Sequence, residues 1–190
     1  MSSRQLADAA LLDEIEKSIV IPTVEGLQKD DLDYRGFLYF GIMLTPKGPK
    51  MLEYNCRFGD PEAQAVMPLI NGDFASYVAS GASGKLNPDL IGFNEGWSIC
   101  LILASAGYPE LSRSGDVISG LDDVSGVRVY HAGTRLNGDD DYETNGGRVL
   151  AVVAAGATRE EARDKVYKEA EKITFDGRQR RTDIATLHFE

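Results

Sequence analysis

The chain has 190 residues, with 20 Lys and Arg against 30 Asp and Glu and a formal net charge of −10. That balance excludes a protein held mainly by nucleic-acid phosphates or by an anionic membrane face, although a local basic patch can still bind one small anion. A hydrophobic fraction of 43% and a charged fraction of 26% exclude wholesale disorder and support an ordinary globular core.

Residues 6–27 read as a helix, with apolar positions at Leu12, Ile15, Ile19 and Leu27 and charges between them. Pro22 lacks an amide donor and is expected to kink that helix or start a new turn. Residues 34–44 (YRGFLYFGIML) and 50–55 (KMLEYN) flank the turn chemistry Pro46-Lys47-Gly48-Pro49, so 34–55 reads as a β-hairpin. Tyr39 and Tyr54 are expected in its core. Asp60 before Pro61 suits the entry of a helix continuing from Ala63 to Ile70, with aspartate as cap and proline at the first helical position. Asp73 is expected to cap another helix through Ala79. Gly81, Gly84 and Pro88 then mark an open connection, and the composition shift over 81–96 is the best domain boundary.

The second half differs in texture. Residues 97–106 form a nearly continuous apolar run, a candidate buried strand, ended by Gly107-Tyr108-Pro109. Residues 116–118, 127–132, 142–144 and 148–154 read as short strands. Residues 158–172 read as a helix opened by a capping box from Thr158 and Glu161. A polar, basic stretch from Gly177 to Asp183 leads to a terminal strand over 184–189. Its Arg178, Arg180 and Arg181 suit either a phosphate or a solvated face. The two cysteines, Cys56 and Cys100, are too few for a disulfide framework and match no zinc spacing. No apolar run approaches the ~20 residues that span a bilayer, and the first residues lead into an amphipathic segment rather than a signal core. A cytoplasmic protein with no nucleic-acid and no membrane partner is expected.

The most informative stretch is Leu52-Glu53-Tyr54-Asn55-Cys56-Arg57-Phe58-Gly59-Asp60-Pro61-Glu62. Residues two apart on a strand share a face, so Glu53 and Asn55 present a carboxylate and an amide oxygen side by side. Those are the hard donors that Mg²⁺ or Mn²⁺ prefers, and a small protein ligand set suits an ion shared with substrate phosphates. Arg57 can pair with a phosphate or carboxylate, or fix its own loop through Asp60 or Glu62. Thr144-Asn145-Gly146-Gly147-Arg148 offers backbone amides and a guanidinium to an anion, or forms a hairpin turn through Asn145-Gly146. His131, in YHAGT, reads either as a satisfied structural group or as one that orients its loop. His188 reads as structural.

The stretch GFLYFGIMLTPKGPKMLEYNCRFGDPEAQAVMPLI resembles the C-terminal catalytic segment of the glycinamide ribonucleotide synthetase (phosphoribosylamine–glycine ligase) family, within the ATP-grasp superfamily. The resemblance extends through IVIPTVEGL, SAGYP, VYHAGT and TNGGRVL, from about Ile15 to Ile184. It implies an α+β fold, with residues 1–90 the C-terminal part of an ATP-grasp core (hairpin plus helices). Residues 91–190 would be a C-terminal domain with a mostly antiparallel sheet and a covering helix. It implies ligation of glycine to 5-phosphoribosylamine through a glycyl phosphate, with ATP as co-substrate. Glu53 and Asn55 match metal-ligand positions for Mg²⁺ or Mn²⁺. Arg57 and Asp60 fall at catalytic positions, and Glu62, His131, Thr144, Gly146, Gly147 and Arg148 on the substrate side. The family's chains are more than twice this long, so a truncated portion, inactive alone, is expected. The alternative is a stand-alone module that completes a split ligase with a separate N-terminal half. A homodimer through apolar surface left by absent strands is a further expectation.

Overall fold

The computed structural model describes residues 8–186. They form two compact units, one of residues 8–60 and 70–93, the other of residues 61–69 and 94–186. Both mix helices with antiparallel strands, as the sequence predicts.

The first unit opens with α1 (Ala9–Ile15), capped by the Asp8 carboxylate, which accepts from Leu11 N at 2.8 Å. A π turn over Glu16–Val20 joins it to α2 (Ile21–Lys29). Pro22 stands in the first turn of α2. Its ring blocks the ordinary hydrogen bond, and the wider π turn ahead of it absorbs the mismatch. β1 (Tyr39–Thr45) and β2 (Gly48–Asn55) are the expected hairpin, joined by Pro46-Lys47. Gly48 takes a φ of +85°, which favours glycine at the turn exit.

The hairpin is shorter than predicted. Tyr34 lies outside it because its hydroxyl donates to Phe37 O at 2.6 Å and curls the chain locally. Tyr54 is also not a core residue. It is 50% exposed, with its hydroxyl 2.9 Å from Thr23 Oγ1. The apolar centre of this unit is instead a cluster of Phe37, Phe58, Phe74 and Tyr77, with Phe37 and Phe58 centroids 4.2 Å apart. β3 (Ile70–Gly72) pairs with β4 (Ile91–Phe93), so Ile70 ends in a strand rather than a helix. α4 (Phe74–Ala82) is capped by Asp73 as predicted, but runs on through Gly81.

In the second unit, β5 (Trp97–Ala104) and β6 (Arg128–His131) flank β9 (Arg148–Gly156) in one antiparallel sheet. Leu101, Leu103, Val149, Leu150 and Val152 are fully buried in it. α5 (Arg159–Ala170) covers it through Ala162, Val166 and Ala170, spaced one turn apart. Thr158 Oγ1 accepts from Glu161 N at 3.1 Å, and Glu161 Oε2 accepts from Ala157 N at 2.9 Å. β7 (Thr134–Leu136), not predicted, pairs with β8 (Tyr142–Thr144) as a separate hairpin.

Three further expectations change here. α3 (Glu62–Val66) has Pro61 at its cap position with no side-chain cap, so Asp60 is not its N-cap. Residues 116–118 make one isolated bridge, Val117 to Glu143, rather than a strand. Residues 184–185 turn, with Thr186 N donating to Asp183 O, and the rest of the predicted terminal strand and His188 lie outside the described residues. The basic stretch is neither a free patch nor a solvated face throughout. Arg178 donates to Ala170 O at 2.6 Å and to Ile173 O, satisfying the end of α5, and its charge pairs with Glu171. Arg180 pairs with Glu171 and Arg181 with Asp183. Among the described residues no helix is long and apolar enough to cross a membrane.

Candidate functional site

The residues singled out by sequence divide between the units. Glu53, Asn55, Arg57 and Asp60 belong to the first, and Glu62, His131, Thr144, Gly146, Gly147 and Arg148 to the second.

On β2, Glu53 and Asn55 lie side by side as strand geometry requires, with Asn55 Nδ2 donating to Glu53 Oε1 at 3.0 Å. Across the hairpin, Glu53 faces Gly41. A Cβ on residue 41 would sit 2.9 Å from Glu53 Cγ and 3.4 Å from its carbonyl oxygen, so the glycine makes room for this carboxylate stem. The register slips between Gly41 and Ile42, leaving Leu52 as the extra residue of a bulge, 63% exposed. The pair fits a divalent cation. Rotating the Asn55 amide exchanges its NH₂ for Oδ1 and sets two hard oxygens next to each other. Among the described residues no group of three or more His, Cys, Asp or Glu could hold a metal.

Beyond Asn55 the chain turns sharply. Arg57 Nη1 donates to Phe58 O at 2.7 Å, and Arg57 makes no ion pair with Asp60. Its guanidinium stays exposed. Tyr34 comes to Cys56 here. Burial, and then the neighbouring thiol, push its phenol above the usual tyrosine range.

In the second unit, Glu62 stands exposed in the first turn of α3. It rims a cavity of about 210 Å³ walled by Ala65, Val66, Ile99 and Cys100. His131 Nδ1 lies 3.0 Å from Thr134 Oγ1, and its ring packs on Tyr142 with centroids 4.4 Å apart, which ties the end of β6 to the β7–β8 hairpin.

Thr144 is fully buried. Its Oγ1 accepts from Asp116 N at 3.1 Å, and its backbone N–H donates to Asp116 O at 2.9 Å. A hydroxyl so enclosed and engaged fixes the start of this segment against Asp116. The segment that follows is not a hairpin turn either. β8 and β9 do not pair, and residues 145–147 carry the chain from one sheet to the other. The two glycines are set by packing: Gly146 and Gly133 stack backbone to backbone, and a Cβ on Gly147 would meet Tyr108 Cδ2 at 2.4 Å. Gly147 O accepts from Ser105 N at 2.9 Å, and Arg148 opens β9 opposite Ala104.

One network was not visible in the sequence. Arg113 spans Asp116 Oδ2 at 2.8 Å and Asp176 Oδ2 at 2.5 Å. Those hydrogen bonds hold its guanidinium above the usual arginine range. Asp116 in turn holds Thr144. These partners lie 28 and 63 positions apart, beyond any local spacing signal.

Comparison with known proteins decides the family. Residues 1–63 match the family described as "Phosphoribosylglycinamide synthetase, ATP-grasp (A) domain", and residues 98–187 match "Phosphoribosylglycinamide synthetase, C domain". The chain belongs to the phosphoribosylglycinamide synthetase family. The phosphoribosylamine–glycine ligase of Caldanaerobacter subterraneus is 45% identical over 178 residues, covering 94% of this chain and 42% of that protein. The crystal structure of the Thermotoga maritima phosphoribosylamine–glycine ligase matches with a TM-score of 0.79 at 34% identity, over 94% of this chain and 44% of that one. Biotin carboxylase from Campylobacter jejuni, at 16% identity and a TM-score of 0.62, shares the fold. This synthetase-family chain thus spans about 42% of the length of the curated ligase it matches.

Proposed function

We propose that this chain carries the cation pair and part of the substrate cleft of a phosphoribosylamine–glycine ligase. The observation that carries the reading is the Glu53–Asn55 pair beside Gly41, within a segment of the synthetase family. In the reaction, a glycine carboxylate oxygen bonds to the γ-phosphorus of ATP and ADP leaves, giving glycyl phosphate. The amine of 5-phosphoribosylamine then bonds to the carbonyl carbon. Phosphate leaves, the amine gives up a proton, and glycinamide ribonucleotide forms.

Glu53 and Asn55 would hold Mg²⁺, or Mn²⁺ in the same place, and such an ion would supply positive charge against the nucleotide phosphates. Arg57 offers its exposed guanidinium to the acyl-phosphate or carboxylate end. Asp60 acts in the same loop. Glu62, His131, Gly146, Gly147 and Arg148 form the substrate side, and buried Thr144 positions that segment through Asp116. Residues 1–90 supply the end of the ATP-grasp core and residues 91–190 the C-terminal domain. Work in the cytoplasm is part of the same reading. So is self-association of the 190-residue chain through the β1–β2 hairpin, whose outer edges pair with no strand among the described residues.

The test is a chimera in which these residues replace the matching part of the Caldanaerobacter ligase. Release of ADP dependent on both glycine and 5-phosphoribosylamine is expected. Glu53→Ala should lower it by about 100-fold, the usual cost of removing an electrostatic stabiliser. A Glu53→Ala chimera within about threefold of its parent, on that same scale, would refute the assignment. The 190-residue chain alone is expected to release no ADP, because phosphoryl transfer needs the nucleotide positioned as well as the metal.

A further inference from the structure

Arg128, at the start of β6, and Lys165, on α5, line one cavity of about 320 Å³ in the second unit. Its other walls are Pro68, Gly126, Val127, Val153 and Ala155. Most cations of this unit are spent on carboxylates, as Arg113, Arg135, Arg159, Arg178, Arg180 and Arg181 show. Arg128 and Lys165 have no ion pair or side-chain hydrogen bond among the described residues.

That is notable for Lys165, because glutamates stand one turn away on each side of it, where helical pairs usually form. Both are occupied. Glu161 Oε2 accepts from Ala157 N at 2.9 Å. Glu169 Oε2 accepts from Ser125 N and from Lys172 Nζ, each at 2.7 Å. Lys165 instead folds over Gly126. A Cβ on that residue would lie 3.1 Å from Lys165 Cε and 3.4 Å from Nζ. Gly126 holds a φ of +67°, a conformation that favours glycine. The loop is thus shaped so that a half-buried lysine stem crosses it and brings the ammonium to the cavity that Arg128 borders.

We propose that this cavity binds a small phosphate monoester. Two cations from separate elements meet one dianion with charge-assisted hydrogen bonds, and the guanidinium can bind two phosphate oxygens at once. Val127, Val153 and Ala155 give an apolar wall for the body of the ligand. None of these residues belongs to the ligase machinery assigned above.

The test uses the ¹⁵N-labelled 190-residue chain, titrated with inorganic phosphate, glycerol 3-phosphate and acetate at constant ionic strength. Saturable movement of the Gly126 and Val127 amide signals is expected with both phosphates, with glycerol 3-phosphate the tighter. Acetate should bind at least about tenfold more weakly, having one charge to offer two cations. Arg128→Ala and Lys165→Gln should each weaken phosphate binding by about tenfold, and Lys165→Arg should restore it. A well-dispersed spectrum shows that each variant is folded, and Arg128→Gln replaces Arg128→Ala if that variant is not. The proposal is overturned if phosphate moves no signal saturably, if the moving signals lie away from 126–128 and 165, or if the charge-removing variants bind as the parent does. Equal binding of acetate and phosphate would overturn the phosphate assignment.

Discussion

Gly147 can be read as a residue kept small for a ligand or as one kept small for Tyr108, and replacing it with alanine separates the two. The new Cβ would stand 2.4 Å from Tyr108 Cδ2 and 2.8 Å from Ser112 Oγ. Carbon atoms in good contact stand about 3.5–4.0 Å apart, so the ring must retreat by about 1 Å. Over-packing of this kind costs about 1–3 kcal/mol. Loss of glycine's freedom in the unfolded chain returns about 0.4–1 kcal/mol. Tyr108 is 38% exposed and can swing outward, so the net expectation is the low end, about 1 kcal/mol. Urea unfolding reports it through the single tryptophan, Trp97, which lies on β5 of the same unit. In a background carrying both Tyr108→Ala and Ser112→Ala the two obstacles are gone, and Gly147→Ala should become neutral or slightly stabilising. An equal cost in both backgrounds would refute the packing account and return Gly147 to a ligand-facing role.

Other expected outcomes follow from single contacts. Thr158→Ala should cost about 0.5–2 kcal/mol in the same urea assay by freeing the Glu161 amide, while Thr158→Ser stays close to the parent. Arg178→Ala should cost about 1–3 kcal/mol, because Ala170 O and Ile173 O lose their charged donor at the end of α5. Lys172 and the Ser125 amide hold the Glu169 carboxyl below the usual glutamate range. The native state therefore binds that proton more weakly than the unfolded chain does. The contribution is complete above the ordinary carboxylate range and is lost as pH falls through the lowered value. A pH series of urea midpoints should show a shallower acid limb in Glu169→Gln, and an unchanged limb would sink the assignment. Light scattering should find the 190-residue chain larger than a monomer, and a single monomeric species would count against association through the hairpin edges.

What was legible in the sequence was whatever rests on short-range periodicity or on a single turn. Alternation along 50–55 put Glu53 beside Asn55, and the structure places them in hydrogen-bond contact. Asp73 and Thr158 announced their helices because an N-cap is written within four residues. The apolar runs of β5 and β9 were visible because strands buried on both faces lose their polar alternation. The misreadings share the opposite character. Asp60-Pro61 has the composition of a helix start, yet the chain enters α3 one residue later, with Pro61 itself at the cap. Asn145-Gly146 has the composition of a hairpin turn, yet β9 pairs with β5 and β6, and the long apolar runs of β5 and β9 outweigh the local preference for a return to β8. Three-residue β7 was too short to show a period at all.

The same distinction orders the candidate site. Glu53 and Asn55 owe their adjacency to strand geometry, so their chemistry can be read from their spacing and survives any rearrangement that leaves β2 intact. The 144–148 segment owes its shape to distant partners: Asp116 against Thr144, Gly133 against Gly146, Tyr108 and Ser105 against Gly147. Its glycines therefore first answer a packing demand. What they leave to a ligand is whatever the segment exposes once those contacts are met. It follows that substitutions at Asp116 or Tyr108 should disturb the 144–148 segment, whereas the Glu53–Asn55 pair should be disturbed from across the hairpin through Gly41, the residue whose missing Cβ leaves room for the Glu53 stem.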